Sequence, residues 1–324
     1  MISAADTFGV FQVESRAQQN VALPHIQPHC FEDLIITISL IRPGPVQGNM
    51  VKPYFRRRSG QEPVTYLHPL LKPALEETLG IILFQEQVVK IGRDVAGFTA
   101  GEAELIRRAL GKKNAYEALE QMRALFVAGA LGKGVSAEIA NQIFDQLTAF
   151  GGYSFAKSHA AAFAVLVYQS AWLRKYHTRE FCTALLNHQP MGFWSPAVLV
   201  GDARRHGIDV LPVHLKHSQA ACVVEGDGIR LGFAYVKGWG AEAIARLLAV
   251  RDRVPLTDMT TLYRQTRLPK RLLENLVLVG ACDHWGRQRR QLLWQLGKLR
   301  AVPAELPLPV AANVDLPDLS EALA

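Results

Sequence analysis

Four basic side chains within seven residues carry the strongest chemical signal in this 324-residue sequence. Arg107 and Arg108 fall at the end of a predicted helix, and Lys112 and Lys113 follow directly after Gly111. Guanidinium groups bind phosphate oxygens in a bidentate manner, so this cluster is suited to a triphosphate. Basic residues also stabilise the C-terminal end of a helix dipole. The spacing alone leaves both interpretations open.

A second group of candidates surrounds a predicted helix start, in the segment Gly151-Gly-Tyr-Ser-Phe-Ala-Lys-Ser-His159. Lys157 and His159 flank Ser158, which we expect to cap the helix. A helix N-terminus presents unpaired N–H groups and partial positive charge, which favour a phosphate. The segment is not a Walker loop, because the G-x-x-x-x-G-K-[ST] spacing is absent. A lone histidine here is more often structural, although Lys157 and Tyr153 strengthen the case for a functional His159.

The turn Lys237-Gly238-Trp239-Gly240 is a third candidate, because it joins two predicted elements. The backbone N–H groups of such a turn can bind a DNA phosphate without reading bases. Spacing alone favours the simpler interpretation, a tight turn that needs a positive φ. A further basic cluster follows, made of Arg287, Arg289 and Arg290.

The charge distribution favours a polyanionic partner. The net charge is +7, and because residues 301–324 hold four acidic side chains and no Lys or Arg, the first 300 residues carry +11. Such a basic body favours nucleic acid or nucleotide as the partner. In a strand context it contains no D-x-D or close acidic pair, which two-metal phosphoryl transfer would require. The four scattered cysteines argue against a disulfide framework and a zinc site.

Helices must position most of these candidates. Thr99 precedes Glu102 by three residues, a capping-box spacing that predicts a helix continuing to Leu110. Ser136 and Ser158 each precede apolar residues at helical spacing. Short β-branched runs at 208–213 and 229–236 predict strands. The most apolar stretch, 160–173, is too short to span a membrane, so we expect a soluble cytoplasmic protein with no membrane partner.

Several segments together resemble the bacterial C-family DNA polymerases, the family of the polymerase III alpha subunit. Their order and spacing agree with that family, and two further segments, at 186–193 and 202–207, resemble its error-prone, damage-inducible branch. Lys157 and the Gly111-Lys-Lys113 run are closer to the replicative pattern. The five matching segments are Gly9-Val-Phe-Gln-Val-Glu-Ser15, Leu40-Ile-Arg-Pro-Gly-Pro45, Gly80-Ile-Ile-Leu-Phe-Gln-Glu-Gln87, Leu105-Ile-Arg-Arg-Ala-Leu-Gly-Lys-Lys113 and Lys157-Ser-His159.

The resemblance implies a mainly α fold. A large helical fingers domain would occupy residues 1–195, a small α+β tandem helix-hairpin-helix region residues 196–300, and a Pro-rich acidic linker residues 301–324. In that family the paired arginines and the histidine face the incoming triphosphate. The turn Lys237–Gly240 would be the first hairpin of this region. The resemblance therefore favours DNA binding there, whereas spacing alone favours a simple tight turn. The implied nucleotide-binding residues are Arg107, Arg108, Lys112, Lys113, Lys157 and His159, and the implied DNA-binding residues are Lys237, Gly238, Gly240, Arg287, Arg289 and Arg290.

The resemblance also implies a reaction, the template-directed attack of a primer 3′-hydroxyl on the α-phosphate of a deoxynucleoside triphosphate. In the full enzyme the Mg²⁺ ions would be held by palm aspartates upstream of the first matching segment. We therefore expect a fragment that is inactive alone, with no catalytic residue and no metal ligand. Expected partners are primer–template duplex, deoxynucleoside triphosphates, and a sliding clamp or mutagenesis accessory proteins. The alternatives are a non-enzymatic DNA-binding remnant of such a polymerase and a protein-interaction scaffold.

Overall fold

The computed structural model describes residues 1–41, 50–110, 116–151 and 155–299. The chain forms two compact units, Met1–Tyr176 and His177–Ala324. Helices dominate both units and a small sheet lies in the second, which confirms the predicted mainly α fold with a small α+β region. The functional boundary near residue 195 stays a prediction, and the linker expected over 301–324 lies outside the described residues.

All the regular elements among the described residues of the first unit are helices. Short 3₁₀ and π turns at Ile2–Ala4, Gln18–Ala22, Pro69–Leu71 and Glu76–Thr78 connect parts of it. Its α-helices are α1 (Leu23–Ile26), α2 (Phe31–Leu40), α3 (Val51–Arg58), α4 (Lys72–Leu75), α5 (Gln85–Ala96), α6 (Ala100–Leu110), α7 (Tyr116–Gly132), α8 (Ala137–Gly151) and α9 (Lys157–Tyr176).

Two helix starts in this unit confirm the capping signals of the sequence. The Thr99 hydroxyl and backbone N–H both donate to the Glu102 carboxylate at 2.8 Å. The Glu102 N–H donates back to the Thr99 hydroxyl at 3.3 Å, which completes the capping box of α6. The Ser136 hydroxyl accepts the N–H of Ile139 at 3.3 Å and caps α8 in the same way.

Two buried apolar clusters hold the first unit together. One packs α2 against α9, where Ala160 and Ala164 are small enough to let the helices approach closely. The other joins α5, α6, α7 and α8 around Phe126 and Phe144, which are both fully buried. Gly129 makes this packing possible, because a Cβ atom there would lie 2.0 Å from the carbonyl oxygen of Ala96. The position of α7 beside the end of α5 therefore depends on that glycine.

The second unit combines helices with a three-stranded sheet of order β1-β3-β2. Strand β1 (Val210–Leu211) pairs in parallel with β3 (Gly228–Arg230), and β2 (Val223–Glu225) pairs with β3 antiparallel. The strands are shorter than predicted, since the chain leaves the sheet after Arg230 and forms a 3₁₀ turn at Phe233–Tyr235. The helices are α10 (Thr178–Asn187), α11 (Pro196–Arg205), α12 (Ala241–Arg251), α13 (Met259–Thr266), α14 (Lys270–Leu278) and α15 (Arg289–Lys298).

The larger apolar cluster of this unit joins α12, α13, α14 and α15 around Phe233, Leu247 and Leu276. Asp258 caps α13, because its carboxylate accepts the N–H of Thr261 at 2.9 Å. Among the described residues of both units, no helix has the length and apolar character needed to cross a membrane.

Three imidazole rings meet in the second unit. The ring centroid of His214 lies 4.5 Å from that of His217 and 4.5 Å from that of His284. Both ring nitrogens of His284 are buried without a hydrogen-bond partner in the described part of the chain. Burial, followed by the positive charges of His284, His217 and Arg230, lowers the pKa of His214 to about 4. Burial also lowers the pKa of His284, with Lys216 acting in the same direction.

Acid should therefore destabilise the second unit. A histidine whose pKa is lower in the folded chain contributes its full stability above the ordinary pKa of 6.5 and loses it as the pH falls towards 4. We expect the unfolding midpoint of H214N to fall less between pH 7 and pH 4.5 than that of the wild-type chain. Exposed His188 lies outside the cluster, so H188N should keep the wild-type pH dependence. Parallel curves for H214N and wild type would show that His214 does not titrate with unfolding.

Candidate functional site

Helix α5 begins at a residue that contacts both phosphate-binding candidates of the first unit. The backbone N–H of Gln85 donates to the carbonyl oxygen of Phe155 at 2.8 Å. Its side-chain oxygen accepts a hydrogen bond of 2.9 Å from the guanidinium of Arg107. Gln85 therefore ties the segment that leads into α9 to the basic end of α6.

Glu86, the next residue, caps α9. Its two carboxylate oxygens lie 3.0 and 2.9 Å from the backbone N–H of Lys157, the first residue of that helix. A carboxylate is favourable there because the first N–H groups of a helix are unpaired and carry partial positive charge. The prediction that Ser158 caps α9 is wrong, since the helix begins before it and the cap comes from a residue 71 positions away.

Gln87 fixes the same turn from its buried side. Its side-chain oxygen accepts the N–H groups of Leu83 at 2.7 Å and Phe84 at 2.9 Å. Its amide nitrogen donates to the carbonyl oxygen of Ala74 at 3.1 Å and the hydroxyl of Thr78 at 2.8 Å. Only 1% of Gln87 is exposed, so each of these groups would lose its partner in a buried place if Gln87 were replaced.

Arg107 and Arg108 share one carboxylate, that of Glu104. Arg107 donates to its two oxygens at 2.7 and 2.6 Å, and Arg108 donates at 3.1 Å. The hydrogen bonds from Arg107, then Arg108, lower the pKa of Glu104 to about 2. Glu104 raises the pKa of Arg107, and Glu86 adds to that effect. The side chain of Arg107 is 29% exposed and that of Arg108 is 67% exposed, so Arg107 is the more firmly held.

Lys157 and His159 lie on the first turn of α9. The Lys157 ammonium forms an ion pair with Glu77 and lies 5.9 Å from the ring centroid of Phe84. The exposed ring of His159 packs between Phe155 and Phe163, with centroid distances of 5.3 and 4.4 Å. Neither ring nitrogen of His159 hydrogen-bonds to a described residue. The predicted Lys112 and Lys113 lie outside the described residues.

The structure thus places Arg107, Lys157 and His159 on elements joined through the first turn of α5. Four residues that shape this site were missed in the sequence: Gln85, Glu86, Gln87 and Glu104. The spacing of Glu104 to Arg107 and Arg108, three and four residues, was a readable signal of ion pairing on a helix. The contacts of Glu86 carried no local signal, because its partner is distant in sequence.

In the second unit, the turn before α12 is held against α14. Gly238 has φ +83°, which confirms the predicted tight turn. Asn275 donates to the carbonyl oxygen of Lys237 at 2.7 Å, and the indole of Trp239 donates to that of Leu272 at 3.0 Å. The turn therefore presents the exposed side chain of Lys237 from a rigid backbone. Gly240, the other predicted DNA-binding residue here, is the exposed N-cap of α12.

A second turn contains a glycine with nearly the same φ. Gly280 follows α14 with φ +84°, and a Cβ atom there would lie 2.3 Å from the guanidinium of Arg289. Arg289 pairs with Asp283 at 2.6 Å and donates to the carbonyl oxygen of Leu278 at 3.0 Å. Its hydrogen bonds lower the pKa of Asp283. Arg289 is thus held inside the turn, whereas Arg287 and Arg290, also predicted to bind DNA, are half-buried near it.

Comparison with known proteins supports the resemblance seen in the sequence. The finger-domain model of the bacterial DNA polymerase III alpha subunit matches residues 1–134, and a helix-hairpin-helix motif model matches residues 207–292. A protein of Corynebacterium efficiens named error-prone DNA polymerase is 44% identical over 98% of this chain and 29% of its own length. A protein of the same name from Alkalilimnicola ehrlichii is 43% identical over 100% of this chain and 31% of its own length. Another, from Pseudomonas aeruginosa, is 43% identical over 95% of this chain and 30% of its own length. The chain therefore spans about three tenths of the length of these relatives.

The contribution of the Glu86 cap to stability can be compared with that of Glu77, the other carboxylate that contacts Lys157. Loss of a helix cap typically costs about 0.5–2 kcal/mol, whereas an exposed ion pair contributes about 0–1 kcal/mol. We expect E86A to lower the free energy of unfolding by about 1–2 kcal/mol, and more than the matched control E77A. E86Q should lose less than E86A, since one oxygen still accepts a hydrogen bond. Urea unfolding measures all three, and an E77A loss as large as that of E86A would contradict the capping role.

Proposed function

Because the chain belongs to the bacterial DNA polymerase III alpha-subunit family, we propose that it supplies the nucleotide-binding and duplex-binding parts of an error-prone DNA polymerase. Its first unit would bind the triphosphate of an incoming deoxynucleotide, and its second unit would bind duplex DNA. The observation that carries the first assignment is the turn Gln85–Gln87, which joins the end of α6 to the start of α9. Arg107 on α6 and Lys157 on α9 are thereby both held by this turn.

Arg107 is prepared for a phosphate by the contacts that hold it. A guanidinium has five N–H donors, and the contacts of Arg107 with Glu104 and Gln85 use three of them. The remaining donors can reach a phosphate oxygen without breaking those contacts. Arg108 has the more exposed side chain and adds a second positive charge. Their role is to neutralise and position the triphosphate, the main protein contribution to phosphoryl transfer.

His159 and Lys157 would complete the triphosphate contacts. The two phenylalanine rings restrict the orientation of His159, and an N–H of its ring can donate to a phosphate oxygen. Lys157 would exchange its exposed contact with Glu77 for the more highly charged triphosphate. Lys112 and Lys113 are included in this proposal on the family resemblance alone.

The carboxylates beside these cations do not fit a magnesium site. In the described part of the chain, Glu86 is engaged with the N–H of Lys157, Glu104 with two arginines and Glu77 with the Lys157 side chain. The Mg²⁺ ions of such a polymerase activate the primer hydroxyl and stabilise the leaving pyrophosphate. We infer that their ligands lie in another part of the polymerase, and that this chain by itself extends no primer.

The duplex-binding assignment rests on the two glycine turns of the second unit. The first turn places Gly238 and Gly240 at the surface before α12, where backbone N–H groups would bind phosphates irrespective of base sequence. In the second turn the N–H groups of Gly280 and Ala281 donate to the carbonyl oxygens of Val277 and Leu276, so basic side chains near it would make the contact. Lys237 adds an exposed ammonium to the first turn. A sliding clamp and mutagenesis accessory proteins are further proposed partners of the whole polymerase.

A non-enzymatic DNA-binding protein is the second candidate function. It is favoured by the pairing of the arginine cluster with Glu104 and of Lys157 with Glu77, which reduces the positive charge available to a nucleotide. It predicts duplex binding without any response to deoxynucleoside triphosphates. A titration of the chain with each ligand separates the two functions.

Arg107→Ala should weaken nucleotide binding. A hydrogen bond to a charged group contributes about 1.5–3 kcal/mol, so loss of Arg107 should raise the dissociation constant for a deoxynucleoside triphosphate roughly 10- to 100-fold. Calorimetric titration of the whole chain measures the change. The control is R93A, which removes an arginine near the other end of α5. Equal affinities for R107A and R93A would remove Arg107 from the site.

Lys237→Ala should weaken duplex binding in a salt-dependent way. Each phosphate contact contributes about 0.9 to the slope of log affinity against log salt for B-DNA, so K237A should reduce that slope by roughly 0.9. R253A is the matched control, because Arg253 is exposed and follows the opposite end of α12, about 15 Å from the turn. Anisotropy of a labelled duplex measures both. A slope in K237A that equals that of R253A would contradict the contact.

A further inference from the structure

A basic cavity of about 900 Å³ lies in the first unit beside α3. None of its lining residues belongs to the proposed triphosphate site, and no Asp or Glu is among the described residues that line it. Four of the described lining residues are Lys or Arg and carry a positive charge at neutral pH. The side chains that matter for its chemistry are His25, Lys52, Phe55, Arg56, Arg57 and Arg58.

Two of the three consecutive arginines are structural. Arg57 donates to Glu62 at 3.1 Å and to the carbonyl oxygen of Leu79 at 2.8 Å. Arg58 donates to Asp33 at 2.7 Å and also to a backbone carbonyl of α1. Both charges are balanced by a carboxylate, so these arginines explain how α3 is attached to its neighbours.

Arg56 and Lys52 are different. Both are exposed, and neither side chain forms a hydrogen bond or ion pair with any residue that the structure describes. They lie four residues apart on α3, a spacing at which like charges face each other and repel. The segment 42–49, which precedes α3, contains no acidic residue that could balance them. Because no described residue neutralises the charges of Lys52 and Arg56, this pair is the feature of the cavity that favours binding of an anion.

An aromatic surface accompanies the two cations. The ring of His25 stacks on Phe55 with a centroid distance of 4.6 Å and an interplanar angle of 18°. A contact of 2.7 Å between His25 Nδ1 and the carbonyl oxygen of Val21 fixes the ring further. Phe55 is buried and His25 is exposed, so one face of a supported ring is open beside the cations.

We propose that this cavity binds single-stranded DNA, with Lys52 and Arg56 contacting phosphates and His25 stacking on an unpaired base. Cations that follow a nucleic-acid backbone and aromatic rings that accept bases are the combination by which proteins bind single strands. A duplex cannot use the ring, because its bases are stacked inside the helix. A free polyphosphate could use the cations but not the ring. The site uses none of the residues of the proposed triphosphate and duplex contacts and does not depend on them.

The test is the anisotropy of a labelled oligothymidylate of about 12 nucleotides, a length within the site sizes of single-strand-binding proteins. With the whole chain, K52A/R56A should weaken binding about 10-fold and reduce the salt slope by about 1.4, because each phosphate contact of a single strand contributes about 0.7. H25A should weaken binding about 5-fold or more without changing the slope. The control K72A/K90A removes the same charge from exposed positions that do not line the cavity.

Four outcomes would overturn the proposal. Wild-type affinity in K52A/R56A would show that the cavity binds no strand. Equal losses in K52A/R56A and K72A/K90A would reduce the effect to overall charge, and an equal loss of duplex binding would remove the preference for single strands. In a parallel titration with inorganic pyrophosphate, a loss confined to pyrophosphate would assign the cations to a free polyphosphate instead.

Discussion

The carboxylate of Glu86 on the first N–H group of α9 is the contact on which the candidate nucleotide site depends. It joins residues that are 71 positions apart and sets where α9 begins. The residues on either side extend the same constraint, because Gln85 holds Arg107 and Gln87 satisfies buried backbone groups of residues 74, 83 and 84. A buried polar group without a partner is costly, so three consecutive residues are each required at their positions for a different reason.

Two carboxylates outside this turn explain how a dense set of cations is tolerated before any anion binds. Glu104 balances two arginines on α6, and Glu77 balances Lys157 on α9. Each carboxylate leaves some N–H donors of its partner unused. The cations are therefore held in position and keep donors for another acceptor. The proposed triphosphate would carry more charge than a carboxylate and would contact cations of both helices at once. The protein carboxylates therefore organise the site rather than close it.

Much of the fold could be predicted from local sequence, because local chemistry decides it. Thr99 with Glu102, Ser136 and Asp258 each cap a helix from within a few residues, and Gly238 adopts the positive φ that its turn requires. Ser158 shows the limit, since a carboxylate from another helix satisfies the N–H group that a local cap would have taken. Tertiary contacts of this kind have no periodicity or spacing that a single sequence reveals. Glu104 was within reach, because its ion pairs obey the spacing of one helix turn.

Runs of basic residues also show that a single sequence does not reveal tertiary contacts, here for side chains that are candidates for ligand binding. In the segment 56–58 only Arg56 lacks a partner among the residues that the structure describes, whereas Arg57 and Arg58 hold neighbouring segments in place. Arg289 likewise fixes the turn at Gly280 through its contacts with Asp283 and Leu278, and Asn275 performs that task for the turn at Gly238. Each turn contains a glycine with a positive φ, and a hydrogen bond from a side chain of a neighbouring helix holds it in position. The shape of each turn therefore depends on a residue that lies outside it as well as on its glycine.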